Sequence, residues 1–165
     1  MNHLDKRKLS VVFAFGTGGH KTQMDRLMVS LIGKKQENDY WIAYTDDLSK
    51  FDWADEVLYI IEPRSKIKFS PLDFFKNLIF SFKNFIKIYK NSEKIKMISV
   101  GPGHVIFFGF LTRVFGGEVL HIETWSRFHT KSFTGRIMYL ISNKFYVQNK
   151  ELLKIYKNSI YSGRL

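Results

Sequence analysis

The chain has 165 residues, 45% of them hydrophobic, with 16 phenylalanines and a formal net charge of +11. That length suits one domain with a substantial core, expected to run from residue 1 to 165. There is no cysteine, which excludes disulfides and thiolate metal sites, and the positive excess implies an anionic partner: nucleic acid, anionic lipid or a phosphorylated substrate.

Polar residues Met1 to Lys8 lead into a short apolar run, Leu9–Phe15. It is too short for a signal-peptide core or for a membrane span of about 20 residues, and reads as a first strand. It ends in Gly16-Thr17-Gly18-Gly19-His20, after which Met24, Leu27, Met28 and Leu31 recur at helical spacing. A helix over Lys21–Ile32 therefore points its N-terminus, with free N–H groups and partial positive charge, into a glycine turn. This is not a Walker A loop, which needs Gly-Lys-Ser/Thr where His20-Lys21-Thr22 stands. Nor is it the dinucleotide fingerprint, whose third glycine is replaced by Lys21. Two readings stay open: a turn that only packs helix on strand, or a cradle for a phosphate or sugar nucleotide. His20 is open to three roles: base toward a sugar hydroxyl, ligand of a phosphate, or helix cap.

Strands follow at Tyr40–Tyr44 and Glu56–Ile61, with Asp46-Asp47 reading as a helix N-cap region. From Arg64 to Lys96 nine basic residues face two acidic ones. Within this stretch, Phe75, Leu78, Ile79, Phe82, Phe85, Ile86 and Tyr89 recur at three- and four-residue steps, with Lys76, Lys83, Lys87 and Lys90 on the flank. That is a basic amphipathic helix over residues 71–91, its apolar arc widened by Phe74, Phe80 and Ile88. Either it packs on the sheet with its lysines in water, or it lies on an anionic membrane through Phe75, Lys76, Phe82, Lys83, Ile86 and Lys87. The longest later apolar run, Val105 to Leu111, is broken by Thr112-Arg113, so any membrane attachment is expected to be peripheral. No RNP sequence, Cys/His finger or helix-turn-helix is visible, and no nucleic-acid partner is expected.

The strand Met97–Val100 enters a second glycine turn, Gly101-Pro102-Gly103-His104, before a helix over Val105–Phe115. This turn is either an anion- or glycan-facing loop or a plain connection. The strand Glu118–Ile122 leads to Glu123-Thr124-Trp125-Ser126-Arg127. Glu123 is open to pairing with Arg127, holding an acceptor hydroxyl, or orienting the His20 loop. The planar fork of Arg127 suits a diphosphate. A helix over Thr134–Ile141, a strand over Lys144–Val147 and a helix over Lys150–Lys157 complete the pattern. The alternation predicts an α/β fold, a Rossmann-like parallel sheet flanked by helices. Three polar loops then share the carboxyl edge of the sheet, where open α/β sheets bind ligands. No acid pair has metal-site spacing, and no cofactor or metal is expected.

In order and spacing, Gly16–His20, Pro63-Arg64-Ser65-Lys66, Gly101–Gly103, Ile122–Arg127, Thr134–Tyr139, Phe145–Gln148 and Tyr161–Leu165 resemble the asparagine-linked glycosylation fourteen-like family. That family includes bacterial capsule and exopolysaccharide subunits called enhancers or membrane anchors of β-1,4-galactosyltransferases. The resemblance covers nearly the whole chain. It implies the N-terminal, acceptor-side half of a GT-B glycosyltransferase, with the donor-side half on a separate polypeptide. The two would meet as a peripheral complex on the cytoplasmic face of the membrane. There they would transfer a sugar from a UDP-sugar, shared with the partner subunit, to a lipid-diphosphate-linked acceptor. On this reading His20 and Glu123 are the candidate catalytic residues, and Gly16, Thr17, Gly18, Gly19, Gly101, Pro102, Gly103, His104 and Arg127 the candidate substrate-binding ones. Val100 and Asn149 depart from the residues many members carry, Asn and Trp. The lack of the N-terminal spanning helix usual in eukaryotic relatives favours a bacterial member. The stop at Leu165 suggests that Ile160, Tyr161 and Leu165 dock on the partner, and that Tyr161–Leu165 is dispensable for the fold. The alternative is a non-catalytic scaffold that only recruits and activates the partner.

Overall fold

A computed structural model describes residues 7–60 and 71–165. The Pro63–Lys66 motif lies outside the described residues. In chain order the elements are β1 (Arg7–Phe15), α1 (Gly19–Leu31), β2 (Asp39–Thr45), β3 (Glu56–Tyr59), α2 (Pro71–Asn91), β4 (Ser92–Val100), α3 (Val105–Val114), β5 (Glu118–Ile122), α4 (Phe133–Ile141), β6 (Lys144–Val147) and β7 (Ile160–Tyr161).

The strands pair in the order β3-β2-β1-β4-β5-β6-β7, every pair parallel. Successive side chains of a strand point to opposite faces, and β1 feeds two cores. Val11, Phe13 and Phe15 join Trp41, Ala43, Met24 and Met28 under α1. Val12 and Ala14 join Ile42, Tyr44 and Met97 beneath Phe85, Phe108 and Met138 of α2, α3 and α4. A sheet covered on both faces needs apolar residues at both parities, which is why β1 reads as a nearly continuous apolar run.

The strand order reverses at β1. The chain runs outward through β2 and β3, then returns to place β4 on the other side of β1. Phe15 thereby lies beside Val100, and Val100 beside Ile122. The loops after β1, β4 and β5 emerge side by side at this switch point.

The sequence reading missed four features. β4 begins at Ser92, straight out of α2, rather than at Met97. Its first half carries Glu93, Lys94 and Lys96, with Lys96 paired to Glu118 of β5 at 3.0 Å, so charge hides the strand pattern. The helix expected over Lys150–Lys157 is only a 3-10 turn, Lys150–Lys154, that packs Leu152 inward. Two residues, Ile160 and Tyr161, form an unforeseen edge strand. Asp46-Asp47 opens no helix: Asp46 accepts a hydrogen bond from Thr17 N–H, and Asp47 from Ser49 N–H in a turn.

α2 divides the predicted apolar stripe. Phe85 and Ile88 are buried, and Phe80 and Ile86 pack partly against the same core. In its first half, however, the inward residues are Asn77 and Ser81, with Ser81 Oγ 2.6 Å from Tyr44 Oη of β2. Leu72, Phe75, Ile79 and Phe82 face out, each 47–64% exposed. Of the expected membrane contacts, Ile86 packs partly on the core, and Lys87, though exposed, has its Nζ 2.7 Å from Glu56. Among the described residues no helix is long and apolar enough to cross a membrane.

Candidate functional site

Two glycine turns interlock at the switch point because neither has room for a side chain. A Cβ at Gly16 would sit 2.6 Å from the Pro102 ring, and one at Gly101 would sit 2.8 Å from the imidazole of His20. Gly101 also holds φ +127°, where a side chain is strained. Gly18, at φ 64°, precedes the first residue of α1. The cleft so formed, about 330 Å³, is lined by Gly19, His20, Gly101, Pro102, Ser132, Thr134 and the run Glu123 to Arg127. A second cleft of about 360 Å³ lies at the amino ends of β4 and β5, lined by Phe85, Tyr89 and Phe115, and contains none of the expected site residues.

His20 Nδ1 is shut beneath Gly101 with no hydrogen-bond partner. Burial pulls its pKa below the usual value, and the charge of Glu123 acts in the opposite sense. The ring is therefore neutral at neutral pH.

Glu123 is 1% exposed. Its Oε1 accepts from Ser132 Oγ at 2.8 Å and from Thr124 N–H at 3.1 Å, and its Oε2 from Tyr156 Oη at 2.7 Å. Ser132 also caps α4 by accepting from Gly135 N–H at 2.8 Å. A Cβ at Gly135 would come within 1.9 Å of Glu123 Oε2, so the glycine makes room for the carboxylate. Burial, then the hydrogen bond to Glu123, raises the pKa of Tyr156 and keeps that phenol a donor. No ion pair joins Glu123 to Arg127; Arg127 is exposed, with Nη1 3.3 Å from Thr130 Oγ1.

Gly16, Thr17, Gly18 and Gly103 shape the turns outside the cleft wall. His104 sets its ring edge-on to Tyr44 and its Nε2 3.3 Å from the carbonyl of Phe15. Burial pulls its pKa to about 3. It braces the end of β1 and is not among the cleft-lining groups. No group of three or more His, Asp or Glu among the described residues could hold a metal ion.

A model of the family described as "Oligosaccharide biosynthesis protein Alg14 like" matches residues 11–165. The chain belongs to this Alg14-like family. It is 28% identical to a human protein described as UDP-N-acetylglucosamine transferase subunit ALG14, over all of this chain and 87% of the relative. A Saccharomyces cerevisiae protein of the same description is 24% identical over 89% of this chain and 72% of its own length. Among solved structures, the fold resembles MurG of Acinetobacter baumannii, with TM-score 0.62, 14% identity, 96% of this chain and 44% of that one. A putative UDP-N-acetylglucosamine 2-epimerase from Listeria monocytogenes also gives TM-score 0.62, at 12% identity, with 91% and 42% covered. The Alg14-like chain thus spans less than half of these structures. Its Rossmann-like sheet flanked by helices is the fold expected from sequence.

The Alg14-like cleft depends on residues the motif reading passed over. Buried Gln23 of α1 accepts from Trp125 N–H at 3.1 Å and from Gln148 Nε2 at 2.6 Å. Its own Nε2 donates to the Gly19 carbonyl at 3.1 Å. Gln148 Nε2 also donates to the Glu123 carbonyl at 3.0 Å, and its Oε1 accepts from Leu165 N–H at 2.9 Å. Arg26 donates to the Leu165 carbonyl at 2.8 Å, and the guanidiniums of Arg26 and Arg164 lie 5.0 and 5.3 Å from the ring centre of Trp125. The only sequence signal was a polar Gln23 among the inward positions of α1. The tail is part of this network. Leu165 packs on its own chain, Tyr161 pairs with Val147, and removing Tyr161–Leu165 would strip the sheet edge and the lock on Gln148. Ile160 and Tyr161 stay 45% and 40% exposed.

Proposed function

We propose that the chain is the acceptor-side, membrane-recruited subunit of a two-component glycosyltransferase. Together with a donor-side subunit it would move a sugar from a UDP-sugar to a lipid-diphosphate-linked acceptor. The single observation that carries this is the cleft at the strand-order reversal. A neutral, partly buried His20, itself in the first turn of α1, lines it together with the start of α4, with Arg127 at the rim. Family membership and the fold support the reading.

The acceptor hydroxyl would attack the anomeric carbon as the bond to the UDP oxygen breaks. Its proton would pass to His20 Nε2, the nitrogen not shut beneath Gly101. Glu123 would steady the imidazolium from within the fold, its oxygens already taken by Ser132, Thr124 and Tyr156. Gly19, Gly101, Pro102 and Arg127 would shape and charge the wall that receives the diphosphate. Gly16, Thr17, Gly18, Gly103 and His104 would hold the turns in place. Most of the gain comes from positioning and from steadying the leaving group.

One observation favours a second role for His20. Nδ1 has no acceptor to fix the tautomer a base requires, so the ring would instead donate from Nε2 to a substrate oxygen. His20→Gln separates the two, because a side-chain amide replaces a donor and not a base.

Membrane recruitment is assigned to the first half of α2, which turns Asn77 and Ser81 inward and Phe75 and Phe82 outward beside Lys76 and Lys83. The complex would sit on the cytoplasmic face, with Ile160 and Tyr161 toward the partner. The narrower setting, bacterial capsule or exopolysaccharide assembly, belongs to the same proposal. The named relatives are eukaryotic UDP-N-acetylglucosamine transferase subunits, so UDP-N-acetylglucosamine is tested alongside UDP-galactose.

The test is a transferase assay on membranes with this chain alone, a donor-side subunit alone, and both. Product only from the pair is expected. Full activity from the donor-side subunit alone contradicts the reading, and a mere boost reduces this chain to a scaffold.

A further inference from the structure

The α2 patch has a counterpart on α4. Phe133 and Leu140, seven residues apart on one helix face, are 74% and 80% exposed, with exposed Arg136 between them. Phe128, 48% exposed, follows exposed Arg127 in the loop that leads to this helix. α4 buries its opposite side, Thr134, Gly135 and Met138, so the outer apolar residues are not needed by the core. The loop is held from beneath. Asn149 Nδ2 donates to the carbonyls of Trp125 and Arg127, and Ser132 is fixed by Glu123. The aromatics are therefore presented from a braced base.

Charge points to the occupant. From Thr124 to Lys150 there are five basic residues and no acid. α2, α3 and α4 cover the same face of the sheet. α2 runs back from the carboxyl edge to the start of β4. Its 21 residues rise about 31 Å and the nine strand residues of β4 about 30 Å, so its exposed first turns reach the level of the cleft. The start of α4, at Ser132 and Thr134, lines that cleft. Between the two helices, α3 exposes Phe110 and Val114.

We propose that the outer face of α4, with Phe128, is a second anionic-lipid contact that joins the α2 patch and holds the cleft mouth at the bilayer surface. This rests on the reading that α2 lies on a membrane. A lipid-linked acceptor would then reach the cleft without leaving the bilayer.

The chain lacks cysteine, so a single introduced thiol can carry an environment-sensitive nitrobenzoxadiazole label. Three full-length variants are compared: Phe133→Cys, Phe75→Cys, and Val29→Cys on α1, which is 82% exposed on the opposite face of the sheet. Each is mixed with phosphatidylcholine vesicles with and without phosphatidylserine. A several-fold rise in emission at positions 75 and 133, but not 29, that fades without phosphatidylserine is expected. A response at 75 with silence at 133 overturns the second contact and leaves the α2 reading standing. Silence at both overturns the membrane reading itself. A response at 133 only on adding a donor-side subunit makes α4 a protein-docking face and overturns the proposal.

Discussion

At the residue scale, Glu123 is the position on which most of the site converges. Its carboxylate occupies the only space a side chain at residue 135 could take. Gly135→Ala must push either the carboxylate or α4 aside, at a cost of about 1–3 kcal/mol. A fall in melting temperature with loss of pair activity is expected; an unchanged melt would show that the cradle relaxes freely. His20 gives a pH test. Its pKa lies below the usual value because of burial, and Glu123 opposes that shift. The acid limb of pair activity should thus fall below about pH 6.5 if His20 is a base. Glu123→Gln should move that limb to still lower pH. A limb that stays in place in Glu123→Gln contradicts the coupling. Buried His104 and His121, both pulled to about 3, titrate against folding. Their folded pKa values lie below the unfolded one, so the stability they contribute is complete above about pH 6.5 and is lost as pH falls toward about 3. Melts of His121→Asn should decline less steeply over that window than those of the parent chain; equal slopes would contradict the assignment.

At the element scale, the strap from β7 to Leu165 matters to the cleft through Gln148. Gln148→Ala would remove one of the two hydrogen bonds that Gln23 Oε1 accepts and take the Gln148 partner from the Glu123 carbonyl and from Leu165 N–H, which costs about 1–3 kcal/mol. Hydrogen exchange in residues 161–165 should quicken, with protection of the inner strands kept; no change would show that the strap is held elsewhere. α2 is the element whose reading changed most. Its bounds were legible from apolar spacing and flanking lysines. Its facing was not, because Asn77 and Ser81 reverse the usual polarity in its first half. β1, α1 and the three loops were equally legible, since glycines and apolar runs mark them directly. β4 was half hidden because Lys96 and Glu118 satisfy each other across strands, a pairing that periodicity cannot register. The Gln23–Gln148 bridge joins residues 125 apart and carries no local signal.

At the scale of the whole molecule, the parallel sheet brings loops from three strands to one edge, and the helical layer on one face carries exposed apolar and basic groups toward that same edge. On the proposed function, the chain supplies half an active site, held beside a membrane and completed by another chain, and contributes the group that meets the acceptor. The decisive measurement is the turnover of the reconstituted pair with His20→Ala in this chain, with complex formation and vesicle binding measured on the same samples. A fall in turnover of about 10²-fold or more with assembly intact is the predicted result. Full turnover from the His20→Ala pair would contradict it and make this chain a recruiter whose cleft takes no part in the transfer.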